Sequence, residues 1–202
     1  MQENAKPVNL AILLSGSGRT LLNFIERIKA RTLPARIVVV ISSVKDAYGL
    51  ERARQHGIPN HLIERPGYKT VAGFSEAIVK CVAQYPVDLV VMAGFIHLFK
   101  IPAHFKNRVM NIHPALLPKY GGKGMYYHHV HEAVLKAGEK ESGCTVHFAD
   151  NVYDHGPIIV QRRVAVQPGD TPDTLAAKVF AEECVAYPEA ITLFAQGKVN
   201  IP

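Results

Sequence analysis

Apolar positions along the chain follow two alternating rhythms. Residues 8–14 form a short apolar run that ends in Ser15-Gly16-Ser17-Gly18, after which Leu21-Leu22, Phe24-Ile25 and Ile28 recur at helical spacing. Pro34 closes that helix. Residues 37–41 (IVVVI) are β-branched without a polar break, as in a strand buried on both faces. Residues 47–56 read as a helix closed by Gly57-Ile58-Pro59, and 61–63 as a weak short strand. Residues 71–84 return to helical period, Pro86 breaks it, and 88–92 (DLVVM) supply another buried strand ending at Ala93-Gly94. Strand–helix alternation with continuously apolar strands implies a parallel sheet with helices on both faces.

Past Pro102 the rhythm changes. Residues 108–112 predict a strand that runs into His113-Pro114, residues 116–124 a loop rich in Pro, Gly and Lys, and 130–137 a helix. Residues 144–148 and 157–166 alternate in the manner of antiparallel strands, separated by the irregular stretch 149–156. The last helix spans residues 171–195, with Asp170 as its candidate cap and Pro172 and Asp173 in its first turn. No repeat, low-complexity stretch or linker interrupts the pattern, so residues 1–202 read as one domain. The expected class is α/β, Rossmann-like and doubly wound: mainly parallel in the N-terminal half, with antiparallel strands added in the C-terminal half.

Composition narrows the setting. The 202 residues are 48% hydrophobic and 20% charged, enough for one sizeable core without disulfides or metals. The three cysteines (Cys81, Cys144, Cys184) are widely spaced and form no CxxC, so core packing and a reducing, cytoplasmic location are expected. No apolar run approaches the ~18–20 residues of a membrane span. The polar lead at residues 1–6 is not expected to be a signal peptide. The balance of 23 basic and 17 acidic residues gives +6, but the bases are scattered. An anionic small molecule is therefore a better partner than nucleic acid or membrane.

Three segments carry chemistry. Ser15-Gly16-Ser17-Gly18-Arg19-Thr20 lies between the first strand and the first helix, where glycines let backbone approach a phosphate and the helix start offers free N–H groups. It matches neither GxGxxG nor GK[ST], so a single phosphate is favoured over a dinucleotide. Asn111-Ile112-His113-Pro114 ends the fifth strand; residues two apart face the same side, bringing an amide donor beside an imidazole, a usable pair for acyl transfer. Asp154, in Asp154-His155-Gly156-Pro157, is a candidate partner for His113 that would favour the imidazolium and raise its pKa, and Asp150 competes with it. His128, His129 and His131 do not share one helix face and lack HExxH, so no metal site is expected.

In order, SGSGRTLL, VVMAGF, NIHPALLPKY and GCTVHFADNVYDHGPII resemble the formyltransferase family, and within it the folate-dependent phosphoribosylglycinamide formyltransferases of purine synthesis. The likeness runs from residue 8 to residue 197. It implies Asn111, His113 and Asp154 as the catalytic triad, Asp154 being chosen over Asp150. It implies that Gly18, Arg19 and Thr20 hold the phosphate of glycinamide ribonucleotide and that Glu183 contacts the ribonucleotide. It implies that Ile96, His97, Leu98 and Phe99 line the pterin pocket of 10-formyltetrahydrofolate, closed by the loop of Asp150, Asn151, Val152, Tyr153 and Asp154. The chain departs from the family where it reads Arg19-Thr20 for a frequent Ser-Asn, His97 for an Arg and Phe180 for a Gln. Val71 stands in place of an arginine that often contacts the folate tail, with Lys69 as a substitute, and the loop 121–127 is longer than in compact relatives. The alternatives are 10-formyltetrahydrofolate deformylase, a formyltransferase acting on another amine such as that of a methionyl-tRNA, and a non-catalytic folate-binding module. The first two normally carry a further domain, which this chain is not expected to hold, and an intact triad argues against the last. A monomer or a homodimer is expected.

Overall fold

The computed structural model describes residues 6–199, so the reading of the polar lead falls almost wholly outside the described residues. One seven-stranded sheet organises them. The strands are β1 (Val8–Leu14), β2 (Ala35–Ser42), β3 (Asn60–Leu62), β4 (Leu89–Met92), β5 (Val109–His113), β6 (Glu141–Phe148) and β7 (Ile158–Ala165), in the order β3-β2-β1-β4-β5-β6-β7. β1 to β5 pair in parallel, and β6 and β7 are added antiparallel. The helices are α1 (Arg19–Lys29), α2 (Tyr48–Gln55), α3 (Val71–Val82), α4 (His128–Lys136) and α5 (Pro172–Ala195). The doubly wound expectation and the change of strand direction after β5 both hold.

Both sheet faces are covered, as the unbroken apolar strands require. Leu10, Ile12 and Leu14 of β1 pack with Leu21 and Phe24 of α1 and with Val179 and Ile191 of α5. The alternate residues Ala11 and Leu13 pack with Phe74, Ile78 and Val82 of α3. The period of two along β1 therefore divides the core into two layers. α5 also reaches across the strand ends through Tyr187, which is fully buried. Its hydroxyl hydrogen is shared between the carbonyls of Met92 (3.1 Å) and Met110 (3.0 Å), and the edge of Phe24 meets its ring. This tie fixes β4 and β5 where the chain turns into the candidate site.

Two of the departures from the sequence reading have a direct physical cause. β6 begins at Glu141 rather than 144, because Gly143 lets the carbonyl of Arg162 approach within 2.0 Å of where a Cβ would stand, a pairing that apolar pattern does not encode. The cap of α5 is Thr171, not Asp170. Thr171 Oγ1 accepts from the backbone N–H of Thr174 (3.3 Å) and Thr174 Oγ1 accepts from that of Thr171 (2.9 Å), a reciprocal capping box. Asp170 instead receives Lys178 Nζ at 2.7 Å, which draws its pKa down to about 2.

Candidate active site

Strand order reverses between β1 and β4, so the loops after these strands leave toward opposite faces and open a crevice at the carboxyl edge of the sheet. That crevice is a cavity of about 920 Å³. At one end lies the turn after β1. Gly18 has φ +69, and a Cβ there would stand 2.6 Å from Gly49 Cα on α2, so only glycine fits this close approach. Arg52 donates from Nε to the Ser17 carbonyl at 2.9 Å and braces the turn from α2. No side chain caps α1 and no acid occupies its first turn, which leaves its N–H groups and positive dipole end facing the cavity. The Arg19 guanidinium stacks on Phe180 of α5, 3.7 Å from the ring centroid. Glu183, one turn further along α5, lines the same end; burial lifts its carboxyl to about 7 against the opposing pull of Arg19.

At the other end, Asn111 and His113 project from β5 on one side, as the period of two requires. Asp154 takes a left-handed backbone conformation (φ +51) that an Asp tolerates. Its carboxylate bridges the pair. Oδ1 accepts from Asn111 Nδ2 at 3.2 Å, Oδ2 accepts from the backbone N–H of Gly122 at 3.0 Å, and Oδ2 lies 3.4 Å from His113 Nδ1. His113 Nε2 donates to the Tyr120 carbonyl at 2.7 Å. His113 is only 3% exposed, and burial holds its pKa below the ordinary value, outweighing the upward pulls of Asp154 and the Tyr120 carbonyl. The expectation that Asp154 raises the His113 pKa is corrected in its net direction, although each ring nitrogen meets an acceptor, Asp154 Oδ2 at Nδ1 and the Tyr120 carbonyl at Nε2. Asp150 serves its own loop, accepting from the N–H of Val152 and from His155 Nδ1, both at 2.7 Å.

The wall between the two ends comes from the segment after β4. Ile96, His97, Leu98 and Phe99 line the cavity, as do Asp150, Val152, Tyr153 and Asp154 of the facing loop. Asn151 does not; its Oδ1 accepts from the N–H of Ile101 at 2.8 Å and ties that loop to the segment beyond β4. The His97 ring stands perpendicular to those of Phe74 and Phe95, and burial, with Arg65 adding to it, lowers its pKa.

Several lining residues escape a reading by local pattern. Lys123, Met125, Tyr126 and Tyr127 roof the cavity from the loop before α4, and Tyr127 brings its hydroxyl to 3.4 Å from the Gly94 carbonyl. His131 lines it from α4 with an unpartnered, buried Nδ1, and burial, with His128 and His113 nearby, drives its pKa down to about 4. His147 of β6 is paired directly with Asn111 in the antiparallel register. The signal for His147 lay in TVHF, where residues 145 and 147 must share a face, but the register that sets it opposite Asn111 is not local.

Residues 8–191 match the family model described as "Formyl transferase", and the chain belongs to that family. It is 35% identical over 196 residues to a phosphoribosylglycinamide formyltransferase of Escherichia coli (strain K12), covering 96% of this chain and 90% of that protein. It is 37% identical to a region of the trifunctional purine biosynthetic protein adenosine-3 of Bos taurus that makes up 19% of that larger protein and 97% of this chain. Among solved structures, glycinamide ribonucleotide transformylase 1 from Symbiobacterium toebii superposes with a TM-score of 0.91 at 39% identity, covering 100% of this chain and 92% of that one. Among the described residues no helix is long and apolar enough to cross a membrane, and no group of three or more His, Cys, Asp or Glu is arranged to hold a metal.

Proposed function

We propose that this chain transfers the formyl group of 10-formyltetrahydrofolate to the amine of N1-(5-phosphoribosyl)glycinamide, a step of de novo purine synthesis, and that residues 1–202 form one formyltransferase domain. A single observation carries the reading. One cavity joins an uncapped helix start, suited to a phosphate, to a carboxylate that touches both an amide and an imidazole. Its relatives in the family bear names of the same activity.

The roles follow from position. The backbone of Gly18, Arg19 and Thr20 and the guanidinium of Arg19 take the phosphate, and Glu183 takes the ribose hydroxyls. Ile96, His97, Leu98 and Phe99, with Asp150, Val152, Tyr153 and Asp154, take the pterin, while Asn151 acts only by holding that loop. With both substrates seated, the amine attacks the formyl carbon and much of the entropy cost of the encounter has already been met by binding. A C–N bond to glycinamide forms, and the bond from the carbon to the folate nitrogen breaks with its electron pair leaving on that nitrogen. Asn111 Nδ2, already aimed at an oxygen of Asp154, donates to the developing oxyanion. His113, set between the Tyr120 carbonyl and the Asp154 carboxylate, relays the proton that the amine loses to the departing nitrogen, with Asp154 stabilising the imidazolium.

The test supplies 10-formyltetrahydrofolate with and without glycinamide ribonucleotide and follows the release of tetrahydrofolate. Release that requires the ribonucleotide is expected. Release without it makes the chain a deformylase, and absence of release in both conditions makes it a binder or a formyltransferase for another amine.

A further inference from the structure

The side-chain amide of Asn111 has two possible orientations that differ by a half-turn, and they present opposite chemistry to a formyl oxygen. With nitrogen toward Asp154 the amide stabilises negative charge; with oxygen there it repels it. Two neighbours bear on the choice, Asp154 of the reacting group and His147 behind it. His147 is 1% exposed, and its Nδ1 lies 3.0 Å from the carbonyl of Phe148, its own chain neighbour. A carbonyl only accepts, so Nδ1 carries the proton. Burial keeps the imidazole below its ordinary pKa, with His113 adding to the fall, against the pulls of the Phe148 carbonyl, Asp154 and Asp150. Nε2 is therefore a bare lone pair. It stands 3.1 Å from Asn111 Nδ2, across the β5–β6 pairing that sets residues 111 and 147 opposite each other.

We infer that His147 is a positioning residue for formyl transfer: its Nε2 lone pair, fixed by the Phe148 carbonyl, holds one amide hydrogen of Asn111 and so keeps the other aimed where the formyl oxygen's charge develops. This rests on the functional reading above. Asp154 Oδ1 occupies that second hydrogen in the present structure at 3.2 Å, and an arriving formyl oxygen takes its place without rotation of the amide. A flipped amide would set its own oxygen against both the His147 lone pair and the Asp154 carboxylate, so the two neighbours select the same state. The donor is thus organised before the substrates bind, which is what electrostatic stabilisation of a transition state requires.

The test has an arm that does not depend on activity. In the ¹⁵N spectrum of the wild-type protein near neutral pH, His147 should appear as a neutral ring protonated on Nδ1. A proton on Nε2, whether as the other tautomer or as the imidazolium, overturns the inference. In the kinetic arm, His147→Leu removes the acceptor and should lower kcat by roughly 10²-fold, the scale of a misplaced catalytic group, with KM for both substrates retained. His147→Gln places an amide oxygen near the Nε2 position and should recover most of that loss. Full turnover in His147→Leu, or equal losses in the two variants, contradicts the assignment. Should His147→Leu fail to fold, the ring spectrum and the His147→Gln kinetics still decide. A wild-type protein that does not formylate the ribonucleotide sinks the functional reading alone, because the tautomer is read independently.

Discussion

At the Gly18 end of the cavity the chain offers mainly backbone, and at the Asn111 end it offers side chains. The first is mainly local: a glycine in the left-handed region and an uncapped helix start lie within one βα turn, with Arg52 bracing it from α2. The second assembles β5, β6, the turn at Gly122 and the loop carrying Asp154, joined through hydrogen bonds between residues 32 to 43 positions apart. An anion site needs only a row of N–H groups and a positive end of a dipole, which a short segment supplies. Proton transfer and charge stabilisation need groups of opposed character at fixed separations, and here only tertiary structure supplies them.

Substitutions at the two ends should therefore differ in kind. The largest effect is expected at the side-chain end. Asn111→Ala and His113→Ala should each lower kcat by ~10²–10³-fold with little change in KM, as measured by steady-state formyl transfer. Near-normal turnover in both would remove the chemical role of that end. Gly18→Ala should act on binding and on the fold together. It forces a Cβ against Gly49 at positive φ, so a loss of about 1–3 kcal/mol in urea unfolding and a raised KM for the ribonucleotide are expected.

Acid should damage the side-chain end selectively. His113, His131 and His147 all have pKa values lowered by burial, His131 to about 4. Below the ordinary value of about 6.5 the unfolded chain binds protons that the folded chain refuses, so the stability held above that pH falls as pH drops toward the folded values. The His131 contribution has an upper bound of about 3 kcal/mol. Urea midpoints at about pH 7.5 and about pH 5 measure it, with the lower pH less stable. The smallest effect is expected from Phe180→Leu, which takes away the ring under Arg19. A rise of about 2–5-fold in KM for the ribonucleotide, with kcat and the folate KM held, is the scale of an exposed cation–π contact.

Much of this was legible in the sequence because the relevant physics was local. Continuous apolar runs at 37–41 and within 88–92 announce strands buried on both faces, and the spacing of Asn111 and His113 puts both on one side of β5. Choosing Asp154 over Asp150 needed family likeness, since spacing left both open. Distances now separate them: Asp154 meets His113 and Asn111, whereas Asp150 is consumed by Val152 and His155. The net downward shift of the His113 pKa follows from depth of burial, which a sequence does not display, whereas a carboxylate neighbour can be read from it. The family likeness puts Asn151 in the pterin wall, yet its side-chain oxygen accepts from the N–H of Ile101. His147 and His131 reach the site through sheet register and helix packing, which no window of residues reveals.

Formyl transfer to the ribonucleotide is tested most directly by the fate of one carbon. Incubation with 10-formyltetrahydrofolate labelled in the formyl carbon, followed by mass spectrometry of the products, should place the label on the amine of the ribonucleotide. Label recovered as free formate, with the ribonucleotide unmodified, would contradict it.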